Sequence, residues 1–527
     1  MIRTTLFVAL VLVATHTALA ADRAPSEIVH GSASAEAMLA AQRALRAWLE
    51  SERPPLPPAT SIRVELTAAE RASLQERARG AGGVPMKIGV VRTLSPGVAF
   101  SGRERAHLSP SGDLVWTTAI VAEGASGIRL HLTSLDLPPN AEIYVFGGDD
   151  DAYGPYGGRG PNDDGDFWTP SVRGTEAVLL LRHAGRATAT ERRRVAFTIA
   201  EIGYLGSGMP RPIEQAGTAF CGNPPCIVDA SCQSDPAVTA AMSAVAQLEW
   251  VSGPYLYTCS GGLLADTDTA TQIPYLLTAH HCLSRGKDAT SLEAFFLYRT
   301  TACGGSCPSN TTFPKTLGAT ITATGSAGDF TLLRLRQTPP SGTVMLGLNK
   351  SPVAFTNGAD LYRISHPNFG PQTFSHHRVD TSAPTCTSWP RGQRIYSRDV
   401  VGATDGGSSG SPVVNAAGEV VGQLSGGCGF NVGDVCDATS NATVDGALAY
   451  YFGSVAAYLD PTTCTPVPEV CTDGIDNDCD GAVDCADSNC SGSPACSTCT
   501  PSGGLCTSSG QCCSGSCKGK PGQKACR

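Results

Sequence analysis

The stretch Asp405-Gly406-Gly407-Ser408-Ser409-Gly410-Ser411-Pro412 decides how the rest of this chain is read. A serine hydroxyl is a weak nucleophile until a base removes its proton and backbone amides stabilise the charge that develops on the attacked carbonyl oxygen. Small residues on both sides permit that. Gly407 can turn its N–H toward a substrate, Ser409 projects from the loop, and Gly410 with Pro412 sets a tight exit into Val413-Val414. The same letters suit an ordinary Gly/Ser turn, so the histidines elsewhere in the chain have to decide.

Gly406-Gly407-Ser408-Ser409-Gly410 also fits the G-x-S-x-G elbow, in which Ser408 is the nucleophile and its histidine follows later in the chain. The last histidine is His377, so the base lies upstream and the order His, Asp, Ser is the one that fits. An Asp, His, Ser order through Asp266 or Asp268 is formally open, but the region around His281 reads as short strands and not as an α/β alternation.

At 527 residues the chain is too long for one core. With 59 glycines, 36 prolines and only 16% charged residues it suits loop-rich β domains. A net charge of −9 without a basic stripe argues against nucleic acid as a partner. Arg3, the apolar run Leu6–Ala14 and the small residues Ala18-Leu19-Ala20 read as a signal peptide over 1–20, and no other apolar run is long enough for a transmembrane segment. A secreted, extracellular protein is expected, with its 22 cysteines paired.

Residues 21–59 form a leader, with helical spacing over Ala35–Glu50 followed by the extended Arg53–Pro58. The cysteine-free region 60–216 repeats short strands (Ile128–Leu132, Ile143–Phe146, Ala177–Arg182, Val195–Ile199) between Gly/Asp/Pro turns, the pattern of a β-sandwich. Asp149-Asp150-Asp151 and Asn162-Asp163-Asp164 offer carboxylates to calcium but read better as solvated turns. Ten cysteines then lie between Cys221 and Cys436, enough for five bridges. Cys259 in the apolar stretch Tyr257–Leu264 and Cys282 just after Ile273–Ala279 are placed for one of them. The adjacent His280 and His281 lack the spacing that puts two zinc ligands on one face.

Thr278-Ala279-His280-His281-Cys282, Ala327-Gly328-Asp329-Phe330-Thr331-Leu332-Leu333, Ile364-Ser365-His366-Pro367-Asn368, Gly407–Pro412 and Gly422-Gln423-Leu424-Ser425-Gly426-Gly427 resemble, in order and spacing, the bacterial lysyl endopeptidases of the trypsin-like serine peptidase family. The resemblance spans roughly Cys226–Asp460, and Cys226 with Cys232 matches the paired cysteines near the family's mature start. It implies a mainly β chain: a chymotrypsin-like double β-barrel over 217–460, preceded by a propeptide domain over 60–216. It also implies a serine endopeptidase with His281 as base, Asp329 as its orienting acid and Ser409 as nucleophile. The amides of Gly407 and Ser409 form the oxyanion hole, and Ser425-Gly426-Gly427 pairs with the substrate backbone. Protein or peptide substrates and the chain's own prodomain are the implied partners, and catalysis needs no cofactor.

Two departures matter. Animal trypsins carry an aspartate just before the nucleophile, where this chain has Ser408, so activation is expected to rest on release of the prodomain and not on a new ion pair. A Lys or Arg entering the S1 pocket needs a carboxylate. Six residues before Ser409 stands Ala403, so the acid is expected from Asp437 or Asp445, where lysyl endopeptidases supply it from a later segment.

After Asp460, where the linker Pro461–Pro468 begins, twelve of the 22 cysteines remain. In 461–498, Asp476, Asp478, Asp480, Asp484 and Asp487 fall at EF-hand-like positions, with Gly481 among them, and suit calcium. In 499–527 the cysteine pattern resembles knottins, which implies Cys499–Cys513, Cys506–Cys517 and Cys512–Cys526. The alternative from another class is a binding or adhesion protein that keeps the peptidase fold without turnover.

Overall fold

The computed structural model describes residues 23–53, 61–75, 84–100, 106–147, 151–185, 188–206, 220–310, 313–461, 467–471, 477–478, 487–490, 517–519 and 524–526. The expected signal segment 1–20, the Pro-rich linker after Arg53 and the stretch 207–219 lie outside them. The chain is mainly β, with two barrels and a sandwich.

The first barrel begins with a hairpin. Strands Val245–Ser252 and Tyr255–Leu264 turn at Gly253, whose φ of +56° favours glycine. Tyr255–Leu264 pairs with Tyr275–Ala279, which pairs with Phe330–Leu335 and through it with Ala319–Gly325. On the other side Val245–Ser252 pairs with Glu293–Phe296. Leu248, Trp250, Leu263, Leu276, Phe296 and Leu333 fill the interior.

In the second barrel Asp360–Ser365, Thr373–Val379, Arg394–Val401, Asn441–Ala447, Val420–Gly429 and Pro412–Asn415 pair in that order, and the last returns to the first. Closure leaves no free edge. Leu277, Phe330 and Leu332 from the first barrel share one apolar cluster with Ile364, Val414 and Tyr451 from the second, so the two meet along a cleft. All ten cysteines between Cys221 and Cys436 pair: Cys221–Cys307, Cys226–Cys436, Cys232–Cys303, Cys259–Cys282 and Cys386–Cys428.

The preceding region is two sheets around one core. Ser61–Val64, Leu114–Ala122, Glu176–His183, Ala141–Gly147 and Ala152–Tyr156 form one. Gly127–Asp136, Ala196–Leu205 and Met86–Phe100 form the other. Trp116, Ile143 and Leu179 of the first meet Leu130, Phe197 and Ile202 of the second. A helix over Ala35–Glu52, capped by the Ser34 side chain, lays Leu45, Trp48 and Leu49 on the outer face of the first sheet.

Three features tie this sandwich to the barrels. The strand Met86–Phe100 also pairs with the first barrel, Met86 opposite Thr258 and Val90 opposite Tyr255. A buried ionic cluster crosses the joint: Arg173 to Glu249 at 2.8 Å, and Arg129 to Glu293 at 3.4 Å. Lys315 adds a third cation, 2.5 Å from Glu293. Finally, the described part of the leader begins with a strap. Arg23–Ala24 pairs with Leu348–Asn349, Glu27–Ile28 pairs with Val344–Met345, and Val29 is fully buried in the first barrel's core. No described helix is long and apolar enough to cross a membrane.

Candidate active site

His281 stands just beyond the fully buried strand Tyr275–Ala279, where the Cys259–Cys282 disulfide pins the turn to the neighbouring strand. Asp329 ends a turn just before the strand Phe330–Leu335, at a φ of +56° that only surrounding structure can hold in a non-glycine residue. Its Oδ1 accepts from the His281 N–H at 2.9 Å and its Oδ2 lies 2.8 Å from His281 Nδ1. Its carbonyl accepts from His280 N at 3.1 Å and from Gln423 Nε2 at 2.8 Å. Burial pushes the Asp329 carboxyl up, but the hydrogen bonds and charge of His281, with the Ser425 hydroxyl behind them, outweigh it and hold the carboxyl below its ordinary value. A buried carboxylate that stays ionised fixes a proton on Nδ1 and leaves Nε2 as a base.

His280 turns away, with Nδ1 2.9 Å from Thr324 Oγ1. Cys259, His281 and Cys282 bring ligand atoms close together, but both sulfurs are spent in the disulfide.

The two serines of the loop separate by burial. Ser408 is fully buried and its Oγ accepts from Ser365 Oγ at 3.0 Å, which removes it from any substrate, while Ser409 lines the cleft. Gly407 has a φ of +95°, and a Cβ there would lie 2.6 Å from His366 O. That backbone geometry leaves the N–H groups of Gly407 and Ser409 without an acceptor among the described residues. The His366-Pro367-Asn368 turn braces the loop: Asn368 N donates to Gly406 O at 2.6 Å, and Asn368 Nδ2 donates to Asp405 at 2.9 Å. The loop also packs on the strands that carry His281. Ser260 N donates to Ser409 O at 2.8 Å, and a Cβ on Gly410 would fall 2.8 Å from Ala279 N.

Ser409 Oγ makes no hydrogen bond to His281 among the described contacts. The free Nε2 of that ring instead lies 3.7 Å from Cys282 Sγ.

Beside Ser409 opens a cavity of about 560 Å³, walled by Gly426 and Gly427 and bearing the carboxylates Asp399, Asp405, Asp434 and Asp437, with no Lys, Arg or His lining it among the described residues. Val84 and Met86, from the sandwich side, complete the wall. Of the two expected specificity acids, Asp437 reaches the rim, where Asn431 Nδ2 and Ser440 N each donate to it at 2.9 Å. Asp445 does not reach the cavity: it is fully buried inside the second barrel against Arg363. Strand alternation turned it inward, and nothing in its sequence neighbourhood marked the arginine that receives it. Asp399 was missed because it lies mid-strand, outside every recognisable motif. Val84 and Met86 were missed because the pairing of Met86 with Thr258, far apart along the chain, leaves no local signal.

In the acidic module Asp478 and Asp487 group with Glu469, their ligand oxygens within 4.8 Å of one another. Asp476, Asp480 and Asp484 lie outside the described residues, as do Cys499, Cys506, Cys512 and Cys513. The backbones of Cys517 and Cys526 pair in a short antiparallel ribbon. Cys471 and Cys490 form a disulfide.

Residues 223–445 match the family model described as lysyl endopeptidase, C-terminal domain. A lysyl endopeptidase of Pseudomonas aeruginosa is 26% identical over 359 residues, covering 66% of this chain and 75% of that protein. Among solved structures, the active form of the Rv3671c protease from M. tuberculosis is 15% identical, covering 46% of this chain and 93% of that one, with a TM-score of 0.29. The serine endoprotease from Yersinia pestis is 16% identical over 41% and 63%, also at 0.29.

Proposed function

We propose that this lysyl endopeptidase-like serine peptidase is a secreted endopeptidase, made as a latent precursor, that cleaves after Lys or Arg. His281 takes the proton of Ser409, Ser409 attacks the carbonyl, and the amides of Gly407 and Ser409 receive the negative oxygen. Asp329 holds the ring's tautomer and stabilises the imidazolium that forms, and water then hydrolyses the acyl-enzyme on the same machinery. The observation that carries this reading is the ionised, doubly anchored Asp329–His281 pair beside a loop in which the N–H groups of Gly407 and Ser409 meet no acceptor among the described residues.

The latency reading draws support from the cleft itself. Val84 and Met86 stand in its wall, Met86 as the first residue of a strand that belongs to the sandwich and Val84 just before it, and the His281 ring is turned to Cys282. Activation then requires cleavage after the sandwich, departure of the Met86 strand from Thr258, and a swing of the imidazole onto Ser409. Basic preference is supported by four carboxylates around the cavity, with no cation lining it among the described residues. Secretion is supported by the N-terminal apolar segment and by ten cysteines paired in five disulfides. Glu469, Asp478 and Asp487 offer the hard oxygens that calcium takes; calorimetric titration of the full chain with calcium, against Asp478→Asn, tests that module.

A fluorophosphonate probe tests the central claim. Labelling of Ser409 in the processed protein, abolished in Ser409→Ala and strongly slowed in His281→Ala, is expected. An unlabelled Ser409 after removal of the sandwich would instead support the binding-protein alternative.

A further inference from the structure

The resemblance to lysyl endopeptidases directs attention to an acid late in the chain, but the cavity points elsewhere. We infer that Asp399 is the carboxylate that receives the basic P1 side chain, an assignment that rests on the peptidase reading above.

Four carboxylates touch the cavity, and their bonding separates them. Asp405 has both oxygens engaged, Oδ1 by Gly406 N at 2.8 Å and Oδ2 by Asn368 Nδ2 at 2.9 Å. Asp437 is likewise taken at both oxygens, by Ser440 N and Asn431 Nδ2. Asp434 is exposed on the rim loop, where water screens any pair it makes. Asp399 differs from all three. Its side chain is only 13% exposed, and His377 Nδ1 at 2.7 Å and Thr443 Oγ1 at 2.8 Å both bond to Oδ1. Oδ2 takes no donor among the described residues, although Asp399 lines the cavity.

A buried relay holds that carboxylate in place. His377 is fully buried, and its Nε2 faces Arg363 Nη1 at 3.0 Å and Ser375 Oγ at 2.6 Å. A guanidinium N–H only donates, so Nε2 accepts and the ring's proton sits on Nδ1, aimed at Asp399 Oδ1. Asp445 engages Arg363 on its far side. The acid expected in the pocket therefore serves behind it, balancing Arg363, so that the charge on Asp399 is left for a substrate cation. Burial pushes the Asp399 carboxyl up, but the ring and hydrogen bond of His377, the Thr443 hydroxyl and the nearby Arg363 hold it below its ordinary value. A mostly desolvated carboxylate with one open oxygen pairs strongly with an ammonium or guanidinium that reaches it.

Three measurements on the processed full-length protein test this. The first is kcat/KM on fluorogenic peptides with P1 Lys, Arg or norleucine. The second is competitive inhibition by benzamidine, which reads cation binding without turnover. The third is the rate of Ser409 labelling by a neutral fluorophosphonate. Asp399→Asn is isosteric and keeps an acceptor for His377. It should lower kcat/KM for Lys and Arg peptides by about 100-fold or more and weaken benzamidine similarly, while the norleucine peptide and the labelling rate stay within about threefold. His377→Phe should lower the Lys/norleucine ratio with little change in labelling, as expected of a positioning residue. A Lys/norleucine ratio unchanged in Asp399→Asn but collapsed in Asp437→Asn would overturn the assignment. A wild-type protein that labels normally yet prefers norleucine would overturn it too, while leaving the catalytic reading intact. Absence of labelling in wild type would instead count against the peptidase reading itself.

Discussion

The joint between sandwich and barrels should loosen sharply on Arg129→Met. Arg129 is 2% exposed, and its Nε stays within the sandwich, donating to Thr169 O at 2.9 Å. The other end crosses the joint, with Nη2 2.7 Å from Ser291 O and Nη1 3.4 Å from Glu293. Methionine keeps most of the apolar bulk but strips Ser291 O of this donor and leaves Glu293 with Lys315 and the Ser171 N–H and hydroxyl. Breaking a buried pair of this kind costs about 3–5 kcal/mol, which corresponds to roughly a hundredfold to a few thousandfold in dissociation constant. The assay is the inhibition constant of the non-covalently retained N-terminal part after cleavage of the chain, read by peptide turnover on dilution. Glu293→Gln and the double variant complete a thermodynamic cycle. An inhibition constant within about threefold of wild type, or strictly additive single effects, would refute the idea that this ion pair clamps the sandwich in place.

Other outcomes follow from the same geometry. Gly407→Ala forces a methyl to within 2.6 Å of His366 O at a left-handed φ, and should lower kcat by about 10²-fold with KM little changed, measured on a norleucine peptide. Asp329→Asn removes the charge beside His281 and should cost about 10³-fold or more in kcat, with circular dichroism unchanged. Asp266 is pushed up to about 7 from 3.8, by burial first and then by the charges of Asp268 and Glu27, the latter on the N-terminal strap. Because the folded state binds that proton more tightly than the unfolded chain, stability falls as pH rises from about 4 to about 7. Asp266→Asn should therefore raise Tm at pH 8 and leave it nearly unchanged at pH 4. A Tm gain of equal size at both pH values would show that burial there is not coupled to titration.

What the amino-acid order alone determined is local and motif-bound. The Ser409 loop could be placed because glycine and proline confine the backbone there. The order of histidine and serine along the chain chose between two nucleophile geometries, and the structure separates Ser408 from Ser409 by burial in the same sense. Helical spacing marked the segment that forms Ala35–Glu52, and four short apolar stretches marked strands of the sandwich. Cysteine parity predicted five bridges without saying which. Tertiary structure decided everything that depends on two distant segments meeting: the strap at Arg23–Ile28, the Met86 strand added to a barrel edge, and the three cations at the joint. Above all it decided which carboxylate opens into the cavity. Asp445 and Asp399 are each one letter in an alternating strand, and an alternating pattern does not distinguish an acid that meets a buried arginine from one that meets a pocket. That distinction arises only when the second barrel closes and sets Arg363 and His377 between them.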